Sequence, residues 1–363
     1  MHAPSGPSDP NGHSLPRRIR RARRLGALAA IATSAGLVAA LAGPAGAIRN
    51  PNASCVVTDG TTTYNVTTNP SGPLQAALLG ASSGDQLNIQ GKCVGNFAVT
   101  SLTSLTLNGV NGAILDGAGT GTVFSAVDVN VTIANLRITG GSGGAGFGGG
   151  IFVLFYGGGR LTLTNSRVDH NSASPGGGGG ISGVRASMTL TNSRVDHNSA
   201  GSGGGIFDET IDSGSDVTLN GSSSVDHNSA TTDGGGVYSA SNVRDSSATV
   251  TLNGSSRVDY NTASGKGGGL YNDGSDAGPA TVSLNGSSRV DHNTASGSGG
   301  GIYNDGSSFG TATIALNGSS RVDHNTASVG GGIFNNGGTL IGAVAPPTPG
   351  ANVKNNTPDN VVG

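Results

Sequence analysis

The sequence predicts an all-β fold, a parallel β-solenoid with three short sheets per turn and about nine or ten coils, lidded at its N-terminal end by a short helix. Three recurring words predict it. The first is Val168-Asp169-His170-Asn171, repeated from Val195, Val225, Val258 (with Tyr260 in place of His), Val290 and Val322, at steps of 27, 30, 33, 32 and 32 residues. The second is Gly148-Gly149-Gly150-Ile151, in phase with glycine-rich turns that end at Ile181, Ile206, Val237, Leu270, Ile302 and Ile333. Between them runs a third, Leu161-Thr162-Leu163, followed by Met188-Thr189-Leu190 and its counterparts at Val217, Val250, Val282 and Ile314.

Each unit therefore holds three short segments with the period of two that strands require, separated by Gly, Asn and Ser. No unit could bury its few aliphatics alone. Stacked, Val290 lies on Val258 and Val322, Leu284 on Leu252 and Leu316, and Ile302 on Leu270 and Ile333. Coils about 4.8 Å apart make a rod on the order of 45 Å long. Extra residues enter the turns, which is why unequal repeat lengths are tolerated. Leucine-rich repeats have a different consensus with helical backs, and propeller blades need about four strands per repeat.

Taken from the N-terminus, residues 1–47 read as an export signal. Arg17, Arg18, Arg20, Arg21, Arg23 and Arg24 form a basic start, Leu25 to Leu41 an apolar run, and Ala45-Gly46-Ala47 a small-residue cleavage site. Cleavage would remove six Arg and Asp9 from 19 basic and 21 acidic residues, leaving 13 against 20, a net charge of −7. That balance argues against nucleic acid or anionic lipid as a partner. No second long apolar run follows, so no membrane span is expected in the mature chain. Residues 48–85 form an N-terminal cap, in which Pro73 to Leu79 is the one helical segment, with Leu74, Ala77 and Leu78 on its apolar face. Cys55 and Cys93 are the only cysteines and are expected to pair in an exported chain. Residues 86–345 carry the coils, with unrepeated short strands such as Leu87-Asn88-Ile89 and Leu105-Thr106-Leu107 leading into the repeats. Residues 346–363 form a C-terminal tail or cap, with Pro346, Pro347 and Pro349 interrupting the last coil.

Gly301-Ile302-Tyr303-Asn304 alternating with Leu284-Asn285-Gly286-Ser287-Ser288-Arg289-Val290-Asp291-His292-Asn293 resembles the repeats of the pectate-lyase-like superfamily. More narrowly, it is similar to the Gly-Gly-Ala-Ile and Phe-x-x-Asn repeats of polymorphic outer-membrane-type proteins, with Val where those have Phe. Leu74-Gln75-Ala76-Ala77, Gly84-Asp85-Gln86-Leu87 and Gly91-Lys92-Cys93 resemble the start of such helices. The resemblance covers nearly all of the chain after residue 47 and implies a right-handed parallel β-helix. It does not imply an activity, because the superfamily holds lyases, hydrolases, adhesins and passive rods.

The repeated columns supply the candidate sites. Asn171 and its equivalents, stacked one coil apart, can hydrogen-bond along the rod and hold a turn. Arg289 and Asp291 flank an inward Val, so both are expected to point outward as a solvated ion-pair face. His170, His197, His227, His292 and His324 form a column whose repetition argues against a unique catalytic or metal centre. The aromatic column Phe207, Tyr238, Tyr271, Tyr303 and Phe334 is expected on the outer face, left uncovered by its glycine neighbours, as a platform for glycan; the plainer alternative is self-stacking that stiffens the sheet. Beside it, Asp208, Glu209, Asp273 and Asp305 offer an oxygen-rich set that suits Ca²⁺, the one cofactor the sequence raises; the alternative is a solvated acidic loop. These columns lead to a secreted or cell-surface β-helix protein, monomeric, with a structural, adhesion or glycan-binding role toward extracellular polysaccharide. A lyase or hydrolase of acidic polysaccharide is the alternative, with its site expected around residues 208–216, including Asp212 and Asp216. No residue is assigned a catalytic role.

Overall fold

The computed structural model describes residues 54–363 apart from 70–71, 144–147, 212–213, 245, 276–277, 308–309, 344 and 346–349. The proposed export signal, Asp212, Pro346, Pro347 and Pro349 lie outside the described residues. What is described is a β-solenoid, almost entirely parallel sheet with one helix. Among the described residues no helix is long and apolar enough to cross a membrane.

Alternation makes the core. The middle residue of each Arg-Val-Asp strand points inward, and these residues stack in register as Cys93, Leu115, Ile138, Val168, Val195, Val225, Val258, Val290, Val322 and Val353. All are fully buried. A second wall stacks Leu163, Leu190, Leu219, Leu252, Leu284 and Leu316. The third stacks Ile151, Ile181, Ile206, Val237, Leu270, Ile302 and Ile333. Each side chain fully buried this way contributes roughly 1.5–3 kcal/mol, so the core grows by a nearly constant increment per coil.

Where three strands per turn were expected, the repeats add a fourth, very short ladder: Ser172–Gly177, Ser199–Ser202, Ser229–Ala230, Thr262–Ala263 and Thr294–Ala295. The side chains it buries are those of Ala173, Ala200, Ala230, Ala263 and Ala295. In the last three copies the strand is two residues long, too few to show an alternation, so this wall reads in sequence as part of a turn.

The corner before it is made by the histidine position. His170, His197, His227, Tyr260, His292 and His324 all have φ between 51° and 56°, the left-handed region that non-glycine residues seldom occupy. The corner after it explains the triple glycine. A Cβ on Gly301 would lie 2.7 Å from the Gly332 carbonyl oxygen, 2.9 Å from Asn325 Nδ2 and 2.9 Å from Val322 Cγ1. Backbone of the next coil sits where a side chain would be. Gly301→Ala is accordingly expected to destabilise the coil by about 1–3 kcal/mol, read as a lower urea midpoint. Gly60→Ala makes a useful comparison, since a Cβ there meets nothing within 4 Å although its φ of 52° carries some strain.

The N-terminal end is closed by elements the repeats do not predict. Strand β1 (Val56–Asp59) forms a hairpin with β2 (Thr62–Asn65) and pairs antiparallel with the start of β3 (Gln86–Val94). Helix α1 (Pro73–Gly80) starts on proline, whose missing N–H costs nothing in a first turn, and buries Pro73, Leu74, Ala77 and Leu78. Cys55 and Cys93 form the expected disulfide, tying this lid to the first coil. At the other end Val353–Lys354 pairs with the Arg321–Asp323 strand and Val361–Val362 with Ile333–Asn336, so the tail completes one more turn.

Candidate functional site

Two faces of the rod carry chemistry. The first is the Arg-Val-Asp-His-Asn corner. Asn171, Asn198, Asn228, Asn261, Asn293, Asn325 and Asn356 form a buried amide ladder, each Nδ2 donating to the next Oδ1 at 3.0–3.1 Å and ending on Asn360. The same oxygens accept backbone N–H groups one coil earlier, as Asn261 Oδ1 does from Asn228 at 2.9 Å. This ladder holds the turn, as the sequence reading expected.

The aspartates depart from expectation. They are not solvated: Asp169 and Asp196 are fully buried, and Asp226, Asp259, Asp291 and Asp323 nearly so. Arginines lie over them. Arg137, Arg167 and Arg194 each reach the Asp of the following coil, at 2.7, 2.5 and 2.7 Å. Beyond Ser224, which interrupts the arginine column, none reaches forward: Arg257 pairs with its own Asp259 at 3.3 Å, Arg289 divides between Asp259 at 3.2 Å and its own Asp291 at 3.3 Å, and Arg321 lies 3.6 Å from its own Asp323 and 3.9 Å from Asp291. The pairing leaves a signature. Burial would raise the Asp196 carboxyl, but Arg167, His197 and Arg194 together hold it below the ordinary carboxylate value. At Asp259 burial prevails over Arg257 and Arg289, and the carboxyl is pushed up. Long guanidinium stems can shield a carboxylate from water while keeping their own heads wet, which a reading of alternation alone does not reveal.

The histidines stack beside this layer. Centroids are 5.2 Å apart for His170–His197, 5.0 Å for His197–His227 and 4.9 Å for His292–His324, with interplanar angles of 4°, 1° and 10°. Tyr260 fills the gap, stacked between His227 and His292. Each imidazole Nδ1 faces the carboxylate of its preceding Asp, at 3.0 Å for His170, 2.8 Å for His197 and 2.9 Å for His324, while the ring edge stays exposed.

The second face carries the aromatic column. Phe207, Tyr238, Tyr271, Tyr303 and Phe334 do stack, at 5.1–5.2 Å. They are not left uncovered. Phe207, Tyr271 and Tyr303 are buried, while Tyr238 and Phe334 are half-buried. A Cβ on Gly177 would lie 2.6 Å from the Phe207 ring, so the glycine-rich turn packs against the ring instead of exposing it. Lys266 lies over Tyr303, with Nζ 4.4 Å from the ring centroid and donating to the phenol oxygen at 3.1 Å. The phenols of Tyr238 and Tyr271 donate to Asp273 and Asp305 of the following coils, at 3.1 and 3.2 Å.

The proposed calcium set is not brought together either. Asp208 points inward, fully buried, accepting from Ser215 Oγ at 3.0 Å and Ser239 Oγ at 3.2 Å. Burial pushes its carboxyl up to about 8, against the two serine hydroxyls and with Asp216 and Glu209 adding to the rise. Glu209 accepts from Asn242 Nδ2 at 2.7 Å. Asp273 and Asp305 stand on later coils in the Glu209 column and serve the tyrosines. Among the described residues no three His, Cys, Asp or Glu side chains are arranged to hold a metal ion. Unexpected from the sequence, the Asp208 column becomes a second internal amide ladder, in which Asn272 donates to Asn304 and Asn304 to Asn335, each at 2.7 Å. The signal was present in the alternation: Asn272 lies two residues after the inward Leu270.

Residues 287–305 match the family model described as the Chlamydia polymorphic membrane protein (Chlamydia_PMP) repeat. No curated protein and no solved structure matches the chain. The matched repeat spans Arg289, Asp291, His292, the amide ladder residue Asn293, the triple glycine, Tyr303, Asn304 and Asp305. It thus takes in both faces of a single coil.

Proposed function

We propose that this chain is the rod of an exported cell-surface protein with a structural and adhesive role, presenting side-chain ladders along its length. The observation that carries the reading is the match of residues 287–305 to a polymorphic membrane protein repeat, on a coil whose ladders recur in register from one turn to the next. Extracellular polysaccharide is the ligand class proposed, held by the side chains of several coils at once, so that affinity rises with the number of coils engaged. A lyase or hydrolase reading finds less support: Asp208 is sealed in the core and Glu209 is engaged by Asn242, so neither is poised as an acid–base group in a cleft.

Protease shaving of intact cells, followed by a glycan array and a uronide-cleavage assay on the purified chain, tests this. Loss of the rod on shaving and glycan retention without cleavage are expected. Cleavage abolished by Glu209→Gln would overturn it in favour of an enzyme, and full protection from shaving would overturn the surface location.

A further inference from the structure

We infer that the exposed imidazole column binds divalent metal ions of the borderline class, Cu²⁺, Ni²⁺ and Zn²⁺, each held between the Nε2 atoms of two neighbouring coils. The tautomer is set by what lies beneath. An ionised carboxylate can only accept, so Asp169, Asp196 and Asp291 hold His170, His197 and His292 with Nδ1–H donating inward, while His227 Nδ1 lies 3.6 Å from Asp226 and needs only a small shift to do the same. Nε2 is then the unprotonated atom, and it belongs to the exposed side of the ring, with side-chain exposures of 58% for His170, 45% for His197 and 51% for His324. Carboxylate behind, imidazole in the middle and an open nitrogen in front is the arrangement that orients histidine ligands and raises their basicity.

The rings are nearly parallel at 4.9–5.2 Å. Bonds of about 2.0–2.1 Å require two ligating nitrogens to lie no more than about 4 Å apart. Because each lone pair lies in its ring plane, neighbouring rings must also turn about their side-chain bonds until the two lone pairs converge, each tip moving by roughly an ångström, a movement open to side chains this exposed. Because no third His, Cys, Asp or Glu converges on the same point, water completes each shell and binding is that of a surface chelate. Nitrogen donors select against Ca²⁺ and Mg²⁺. Tyr260 divides the column into a block of three, His170, His197 and His227, and a block of two, His292 and His324. Removing His197 leaves its neighbours two coils apart, beyond any common ion.

The test is a Ni²⁺ titration of the full chain by calorimetry, comparing the native protein with His197→Asn, His324→Asn, the double variant and Tyr260→His. Asparagine is chosen because Asn355 occupies the equivalent corner of the last coil with φ 54°, so the fold tolerates it. The double variant should lose at least tenfold in affinity, each single variant should lose one block, and Tyr260→His should add bound metal by joining the blocks. All variants retain His2 and His13, so the differences report on the column. A double variant that binds as the native chain does, or Ca²⁺ displacing Ni²⁺ at equal concentration, would overturn the inference.

Discussion

Replacing Asn261 by alanine is expected to destabilise the coils around it by about 3–5 kcal/mol, although the change removes only one exchangeable side chain of a long ladder. Asn261 Nδ2 donates to the Val225 carbonyl at 2.9 Å and to Asn293 Oδ1 at 3.0 Å, and its oxygen accepts two bonds from Asn228. Alanine leaves the Asn228 backbone N–H, the Asn228 amide and the Val225 carbonyl without these partners in a site closed to water. Each buried group stranded in this way costs about 1–3 kcal/mol, less what a relaxed neighbour or an entering water recovers. The measurement is the urea midpoint together with amide exchange at Asn228, which should accelerate ahead of more distant coils. Asn317→Ala supplies the contrast. It lies at the exposed end of another amide ladder, donating to Asn285 Oδ1, and should cost under about 1 kcal/mol. Equal shifts for the two variants would show that the buried ladder does not hold the corners.

Asp208→Asn is expected to stabilise the protein, and increasingly so as pH rises. Burial is the chief reason its folded carboxyl sits near 8, well above the unfolded value of 3.8. Between those values the native state keeps a proton that the unfolded state has released. Stability from this group is therefore fully present below about pH 4 and is lost progressively as pH rises through about 8, above which the curve is flat again. Asparagine keeps an oxygen for Ser215 and Ser239 and has no charge to desolvate; the Asn272, Asn304 and Asn335 residues of the same column show that an amide suits this wall. The gain at pH 9 should be on the order of 3–5 kcal/mol, with little gain at pH 4. Thermal unfolding at both pH values checks it. A variant with the native pH slope would exclude Asp208 as its source.

The fold was legible because repetition supplies its own evidence. Val290 is an unremarkable hydrophobe until Val258 and Val322 recur in phase, and one coil's spacing then dictates a stack. The disulfide and the Pro73–Gly80 helix were equally plain, being local in composition and pattern. The surface was read less well. Alternation says correctly that Asp291 and Tyr303 leave the core side of their strands, but it does not say what then covers them. Arg289 folds over the aspartate layer, and the glycine-rich turns and Lys266 close over the rings. Both coverings draw on neighbouring coils, as Arg289 on Asp259 and Lys266 on Tyr303 do, so no single repeat discloses them in full. Asp208 and Asn272 were legible in principle, since each lies two residues beyond an inward aliphatic, but their polarity suggested surface and overrode the period.

The direction of the hydrogen bonds has a mechanical consequence. In this rod the ladders run along the long axis, and each coil is joined to the next by the same few strands, Arg289–Asp291 on Arg321–Asp323 among them. Tension applied between the two ends therefore meets coils arranged in series, and the terminal coil yields before its neighbours are disturbed. Each 32-residue coil released would lengthen the tether by about 100 Å, and the intact remainder would present the same kind of edge to the next pull. Such a chain would pay out under load in even steps, as a shock absorber does, instead of failing at once.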